Sequence, residues 1–175
     1  MKKKTTNLKE ASFTQSINIS AQWCKEWEED FLSEEVLADR IAELIKTKNG
    51  LRGFFAYSLS DGDCSLLDKL PYSLVFKLTS IGRDVVEIVI KNLIMSSAQI
   101  IVHQREKNLE YKLISENISD RCKGILRILE TNLVTNTINE IMEDLDNLGN
   151  SFDNSTKYDD QQKEFIKQQI FDIAQ

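Results

Sequence analysis

The side chains that could carry out chemistry are few and widely spaced. The 175-residue sequence has one histidine, His103, and three cysteines, Cys24, Cys64 and Cys122. One histidine cannot supply the paired Glu-x-x-His ligands of a di-iron bundle, nor the ligand set of a zinc hydrolase. The odd number of cysteines, without a C-x-x-C pair, favours reduced thiols over a disulfide framework or a zinc knot. We therefore predict no metal site, no cofactor and no catalytic residues.

Two residues are candidate ligand-binding positions, His103 and Cys122. His103 ends a long apolar stretch, where it is a haem ligand, a general base, or simply a partly exposed residue near a helix C-terminus. Cys122 lies in the sequence Asp-Arg-Cys-Lys-Gly, which is similar to bilin attachment sites of phycobiliproteins, although a buried thiol explains it equally simply. A helical module that binds a tetrapyrrole or another apolar small molecule is thus one functional alternative. An enzyme of unrecognised type is a second.

Three large aromatic residues, Trp23, Trp27 and Phe31, recur at intervals of four with charged residues between them. This spacing predicts that they share one face of a helix. Such a face either covers the core or docks a protein partner. We take the three as candidate partner-binding residues.

The composition is that of an ordinary soluble globular domain, with 41% hydrophobic residues, 29% charged residues and a formal charge of −6. An acidic surface repels phosphate backbones, which argues against nucleic acid as the partner. No apolar segment of the kind found in secretory signals follows Lys2–Lys4, so a cytoplasmic location is expected. A protein partner is expected, and a homodimer is left open.

The most apolar stretch, Val85–Asn108, predicts a buried central helix over about residues 83–104. Its Val and Ile residues stand at both odd and even positions, so they do not alternate as in a strand with one exposed face. Its polar residues are spaced by three and four, as on one face of a helix. Glu87 precedes Lys91 by four residues, the favourable order for an ion pair on a helix. Charged residues in its first turns argue against a membrane span.

The remaining pattern predicts an all-α fold, a single-domain helical bundle of about six to eight helices. Residues 1–20 are expected to form a mobile arm, and residues 21–175 the helical domain. Within that domain we predict that Ser20 caps the first helix, that Asn49–Gly50 ends the second, and that Ser119 caps a separate helix. Leu51–Leu59 is expected to be helical rather than a strand. The other predicted elements are helices at 72–80, 109–116, 135–148 and 160–174, with a linker at 150–159.

Three segments, Leu51–Asp61, Val89–Asn108 and Lys157–Ile170, resemble a group of uncharacterised helical proteins from cyanobacteria and plastids. The resemblance covers most of the chain after Glu35 and contains no catalytic motif. It implies a cytoplasmic or plastid-stromal protein that serves the photosynthetic apparatus, and it assigns no functional residues.

These observations favour a non-catalytic intracellular interaction or regulatory protein. No phosphate-binding loop or nucleophile motif is present in the sequence, while helical faces and an acidic surface suit a protein partner.

Overall fold

The computed structural model describes residues 7–60, 62–147 and 158–173. The described residues form eight α-helices, one short 3-10 helix (Leu8–Glu10) and no β-strand, which confirms the predicted all-α class. The chain contains two compact units, the N-terminal unit Met1–Ile81 and the C-terminal unit Gly82–Gln175. The helices are α1 (Phe13–Glu28), α2 (Glu34–Leu44), α3 (Lys48–Ser60), α4 (Tyr72–Ile81), α5 (Arg83–Arg105), α6 (Leu109–Ile128), α7 (Thr131–Asn147) and α8 (Asp160–Phe171).

The first helix begins earlier than predicted, so that residues 13–20 of the expected arm are helical. Ser12 and Gln15 form a capping box: the Ser12 hydroxyl accepts from the Gln15 amide at 3.2 Å, and the Gln15 side chain accepts from the Ser12 amide at 2.8 Å. Ser20, the predicted cap, is instead buried in mid-helix and donates its hydroxyl proton to the Ser16 carbonyl at 2.8 Å. The sequence pattern does not predict this N-terminal part of the helix, because its buried positions Ser16 and Ser20 are serines, which give no hydrophobic periodicity.

Small residues bring α1 and α3 into close contact. Ser16, Ser20 and Cys24 line the buried face of α1. A Cβ atom at Gly53 of α3 would lie 2.5 Å from the Ser16 Cβ and 3.0 Å from the Ile17 amide nitrogen. Glycine at 53 is therefore required by the approach of a neighbouring backbone.

The predicted helix end at Asn49–Gly50 is wrong, because α2 ends at Leu44 and Gly50 lies in the first turn of α3. The Thr47 hydroxyl accepts the Gly50 amide proton at 3.0 Å. A Cβ at Gly50 would lie only 1.8 Å from the Leu44 carbonyl oxygen. Gly50 thus permits a tight connection between α2 and α3 and does not terminate α2.

The core of the N-terminal unit is formed where α2, α3 and α4 bury their apolar faces. The predicted helices at 51–59 and 72–80 are confirmed by α3 and α4. The largest fully buried side chains of this unit are Leu37, Ile41, Leu44, Phe54, Phe55, Leu59, Leu66, Leu74 and Leu78.

The predicted central helix is confirmed as α5, which begins after Gly82 at a positive φ of 73°. It packs against α6, α7 and α8 in the C-terminal unit. By length and composition alone α5 is apolar enough to cross a membrane, and most of its apolar window is buried inside the fold. A core helix of a folded unit has the same composition, because both must hide apolar side chains from water.

One long helix, α6, replaces the two helices predicted on either side of Ser119. Asn117 and Asp120 are exposed, whereas Ser119 is buried, with its hydroxyl 3.5 Å from the Gln169 side-chain oxygen. The polar residues that suggest a helix start therefore lie on the exposed and buried faces of one continuous helix. Ser119 resembles a cap in sequence, but its neighbours in space are those of a core position.

The last two helices are also shifted from their predicted bounds. The α7 helix starts four residues before the predicted Thr135, because the Glu130 carboxylate accepts from the backbone amides of Asn132 and Leu133 at 3.0 and 2.8 Å. The α8 helix begins at Asp160 as predicted and ends at Phe171. The predicted linker 150–159, apart from its last two residues, lies outside the described residues, as do Leu148, Gly149 and Ala174.

Candidate interaction surface

The α1 helix ends in a Schellman turn that projects Phe31 away from the helix. Asp30 takes a φ of 60°, the left-handed conformation usual for the residue after a helix C-cap. The Phe31 amide donates to the Glu26 carbonyl at 2.8 Å, and the Asp30 amide donates to the Trp27 carbonyl at 3.0 Å. Phe31 therefore does not continue the Trp23 and Trp27 stripe, and the prediction of one three-residue helical face is wrong.

The Phe31 ring is left exposed because its usual partner position holds a charged residue. In a Schellman turn, the residue at the Phe31 position commonly makes an apolar contact with the residue at the Glu26 position. Here the Glu26 carboxylate accepts from Arg40 at 3.3 Å and from Gln22 at 2.7 Å. Phe31 is 79% exposed, whereas the next residue, Leu32, is buried. The backbone is thus anchored on both sides of an outward-pointing aromatic ring.

Trp23 and Trp27 are half-buried. The Arg40 guanidinium of α2 lies 5.8 Å from the Trp23 ring centroid and also pairs with Glu26 of α1. A cation over an aromatic face is attractive, so this contact joins α1 to α2. The structure uses Trp23 within the unit and leaves Phe31 available to solvent.

Two further exposed aromatic residues, Tyr72 and Phe76, lie on α4. Tyr72 is 85% exposed and Phe76, one turn later, is 66% exposed. The hydroxyl of the neighbouring Ser73 donates to the Glu34 carbonyl at 3.3 Å, which brings the start of α4 to the first turn of α2. Glu34 follows Phe31 by three residues, so Phe31 and Tyr72 both lie close in sequence to this contact. Sequence reasoning missed this pair, although aromatic residues four apart opposite the buried Leu74 and Leu78 are a readable signal.

Acidic residues precede and follow Phe31 in the sequence. Between Lys25 and Arg40 the sequence contains seven acidic residues and no basic residue. The Ser33 hydroxyl caps α2, and the pKa of Glu35 is lowered by hydrogen bonds from its own backbone amide and from Ser33. A carboxylate is also favoured in the first turn of a helix by the helix dipole. We use the name acidic aromatic corner for the exposed residues next to the contact between Ser73 and Glu34, namely Phe31, Tyr72, Phe76, Asp30, Glu34 and Glu35.

His103 lies in the last turn of α5, at the connection to α6. Its side chain is 19% exposed, and its Nδ1 atom is 3.6 Å from a Glu106 carboxylate oxygen, too far for a hydrogen bond. The Tyr111 ring lies 5.6 Å from the imidazole, centroid to centroid. Nδ1 is buried and has no hydrogen-bond partner among the described residues. His103 is therefore packed against the start of α6.

Cys122 is fully buried on α6, and burial raises the pKa of its thiol. The thiolate is the nucleophilic form of cysteine, so the position disfavours covalent attachment of a bilin. Tyr111, which contacts His103, precedes Cys122 by eleven residues, about 16 Å along the helix axis. The two candidate ligand residues are thus not brought together by α6.

No group of three or more His, Cys, Asp or Glu side chains suited to a metal ion occurs within the described part of the chain. The structure therefore assigns neither His103 nor Cys122 to a metal centre.

The fold and the corner together define an all-α protein with two compact helical units, one of which exposes aromatic side chains among carboxylates. The chain belongs to the family described as uncharacterised conserved protein UCP020893, whose profile matches residues 12–173. No curated protein and no solved structure matches the chain.

Proposed function

We propose that this chain is a non-catalytic intracellular interaction protein that docks its partner on the acidic aromatic corner. The single observation that carries the proposal is the 79% exposure of Phe31 on a backbone held by two Schellman hydrogen bonds. Aromatic residues, phenylalanine among them, are enriched in protein interfaces relative to the rest of the surface. A fixed backbone also reduces the entropy that is lost when a partner binds.

The surrounding fold supports an anchor role for Phe31. Exposed aromatic side chains leave apolar surface in contact with water. Phe31 lies just before α2, and Tyr72 and Phe76 lie in the first two turns of α4. Their neighbours Leu32, Leu74 and Leu78 are buried, so the elements that carry the rings are held in the core. A tetrapyrrole-binding role has less support, because Cys122 is buried and its thiol pKa is raised.

Affinity capture from cells of the source organism tests the proposal. The wild-type chain and a Phe31→Ala/Tyr72→Ala variant are compared by quantitative mass spectrometry. We expect a specific partner to be lost from the variant, with about tenfold weaker binding or more when the purified pair is measured. Met95→Ala/Phe171→Ala is the matched control, since both side chains are large and exposed, at 57% and 70%, in the C-terminal unit.

Retention of every partner by the Phe31→Ala/Tyr72→Ala variant would overturn the proposed docking site. Both substitutions remove exposed side chains, so thermal unfolding followed by circular dichroism should show little change. This separates loss of a contact from loss of the fold.

A further inference from the structure

We propose that the occupant of the acidic aromatic corner is a Lys/Arg-rich segment of a partner protein. This inference rests on the proposed function, because it identifies the chemistry of the partner at that same surface. The aromatic rings supply the apolar contact, and the charge around them selects which segment fits.

The carboxylates of the corner are more numerous than the cations that neutralise them. Of the seven acidic residues between Lys25 and Arg40, Glu26 pairs with Arg40 at 3.3 Å and Asp39 pairs with Lys77 at 2.7 Å. Glu29 approaches Lys25 only at 3.8 Å, with both side chains largely exposed. The corner therefore retains an excess of negative charge.

The four other acidic residues of this segment are Glu28, Asp30, Glu34 and Glu35, and Asp30 is next to Phe31 in the sequence. Glu28 accepts from the amide and hydroxyl of Ser65 at 2.9 and 3.1 Å, and no ion pair joins it to a lysine or arginine in the described part of the chain. Within the described residues no lysine or arginine pairs with Asp30, Glu34 or Glu35. Asp30 precedes Phe31 directly, and the Glu34 carbonyl is the acceptor of Ser73, the neighbour of Tyr72.

A basic segment satisfies both parts of this surface at once. Lysine and arginine side chains have apolar stems that pack on aromatic rings and charged heads that reach nearby carboxylates. Their cations are also attracted to the faces of Phe and Tyr rings. An acidic or uncharged apolar segment gains no such pairing, and an acidic one is repelled.

The test measures binding of two synthetic peptides to the purified full-length chain by fluorescence anisotropy. The peptides share length and leucine positions and differ only in having Lys/Arg or Glu at the polar positions. We expect the basic peptide to bind at least about tenfold more tightly, with an affinity that falls as salt is added. Equal affinities for the two peptides would overturn the inference.

Variants locate the binding site. Asp30→Asn/Glu34→Gln/Glu35→Gln should weaken binding of the basic peptide by about tenfold or more, because it removes three charges while keeping side-chain size. The matched control, Glu110→Gln/Glu143→Gln/Glu164→Gln, removes three exposed charges from the C-terminal unit. Binding that is weakened equally by both triple variants would show attraction to the net charge alone and would overturn the site.

The outcomes separate this inference from the proposed function. Loss of the native partner from Phe31→Ala/Tyr72→Ala, together with unchanged capture by the Asp30→Asn/Glu34→Gln/Glu35→Gln variant, would keep the docking site and reject the basic partner. Sedimentation velocity supplies the other alternative: a concentration-dependent dimer that disappears in Phe31→Ala would assign the corner to a second copy and overturn the inference.

Discussion

Asp159 and Arg105 join the start of α8 to the end of α5. Arg105 donates to the two Asp159 carboxylate oxygens at 2.6 and 3.1 Å, and Asp159 also caps α8 by accepting the Gln162 amide at 3.0 Å. These hydrogen bonds, with Arg105 as the largest cause, lower the pKa of Asp159 to about 2. Since both side chains are largely exposed, the pair contributes little to stability, and its clearest signature is the titration itself.

We expect Arg105→Ala to raise the pKa of Asp159 from about 2 toward its ordinary value of 3.8. The pKa should remain somewhat below the ordinary value, because the Gln162 amide still donates to the carboxylate. Carbon-detected NMR titration of the Asp159 carboxyl group measures this change. In the control Arg127→Ala, which leaves the Arg105 pair in place, the titration should not move.

The same pair gives a signed dependence of stability on pH. A carboxyl group whose pKa is lower in the folded state stabilises the fold when ionised, and this contribution is lost as the pH falls from about 4 to about 2. Asp159→Asn should therefore be slightly less stable than the wild type at neutral pH, since both partners are largely exposed, and the difference should close in that acid range. A difference in urea unfolding that is constant from pH 7 to pH 2 would contradict this expectation.

Lys107 follows Glu106, the C-cap of α5, and takes the left-handed conformation with a φ of 57°. The Asn108 amide donates to the His103 carbonyl at 2.9 Å, so the turn is of the same type as that at Asp30. Glycine takes this conformation without the steric cost that a Cβ imposes. This gain in stability is partly offset because glycine has more conformational freedom to lose when the chain folds.

Lys107→Gly should therefore raise the free energy of unfolding by up to about 1 kcal/mol. Urea denaturation of the full chain measures the change. Gln104→Gly, three positions earlier and helical, is the control and should lower it by about 1 kcal/mol. Destabilisation by both substitutions would show that the turn does not require a left-handed residue at 107.

At the scale of helices, two glycines test how closely α1 and α3 approach. A Cβ at Gly53 would clash with Ser16, whereas a Cβ at Gly124 of α6 would meet no atom within 4 Å. Gly53→Ala should destabilise by about 1–3 kcal/mol because the packed helices must separate. Gly124→Ala should stabilise by about 1 kcal/mol because alanine is the better helix former and nothing obstructs it.

Thermal and urea unfolding of the two glycine variants, in parallel with the wild type, check this pair of expectations. Each chain carries the same Gly→Ala change in a helix, so the difference between them isolates the effect of packing. Stabilisation by both substitutions would mean that α1 and α3 are not in close contact.

The long apolar helix was predictable because its polar residues carry a clear period. The expected pair forms, with the Lys91 ammonium 3.6 Å from a Glu87 carboxylate oxygen. Arg83 adds a second cation at 2.8 Å from Glu87. These contacts depend only on the four-residue spacing along one helix, and this spacing can be read from the sequence.

At the scale of the whole molecule, each of the two units contains fully buried apolar side chains. Ile41 in the N-terminal unit and Leu93 in the C-terminal unit are both fully buried. Truncation of either to alanine removes buried carbon atoms and leaves a cavity, at a cost of about 2–5 kcal/mol.

We expect this loss of stability to be concentrated in the unit that carries the substitution. Hydrogen exchange of the full-length chain, measured by mass spectrometry, should show that Ile41→Ala lowers protection mainly in α1–α4 and that Leu93→Ala lowers it mainly in α5–α8. Equal loss of protection throughout the chain for both variants would show that the molecule unfolds as one cooperative unit.

The sequence by itself determined the all-α class and the extent of α5, because the periodicity of apolar and polar residues is a local property. The helical state of Leu51–Leu59 follows from a different argument: Phe55, Tyr57 and Leu59 alternate as in a strand, but no second segment is suited to pair with them. Tertiary structure decided where serine and glycine belong: Ser20 and Ser119 look like helix caps, yet both are buried where helices pack closely. It also decided that Phe31 leaves the tryptophan stripe, because the turn at Asp30 redirects the chain. The Ser73 hydroxyl donates to the Glu34 carbonyl, so a residue next to Tyr72 contacts the first turn of α2, and no local sequence pattern predicts this contact between helices distant in the chain.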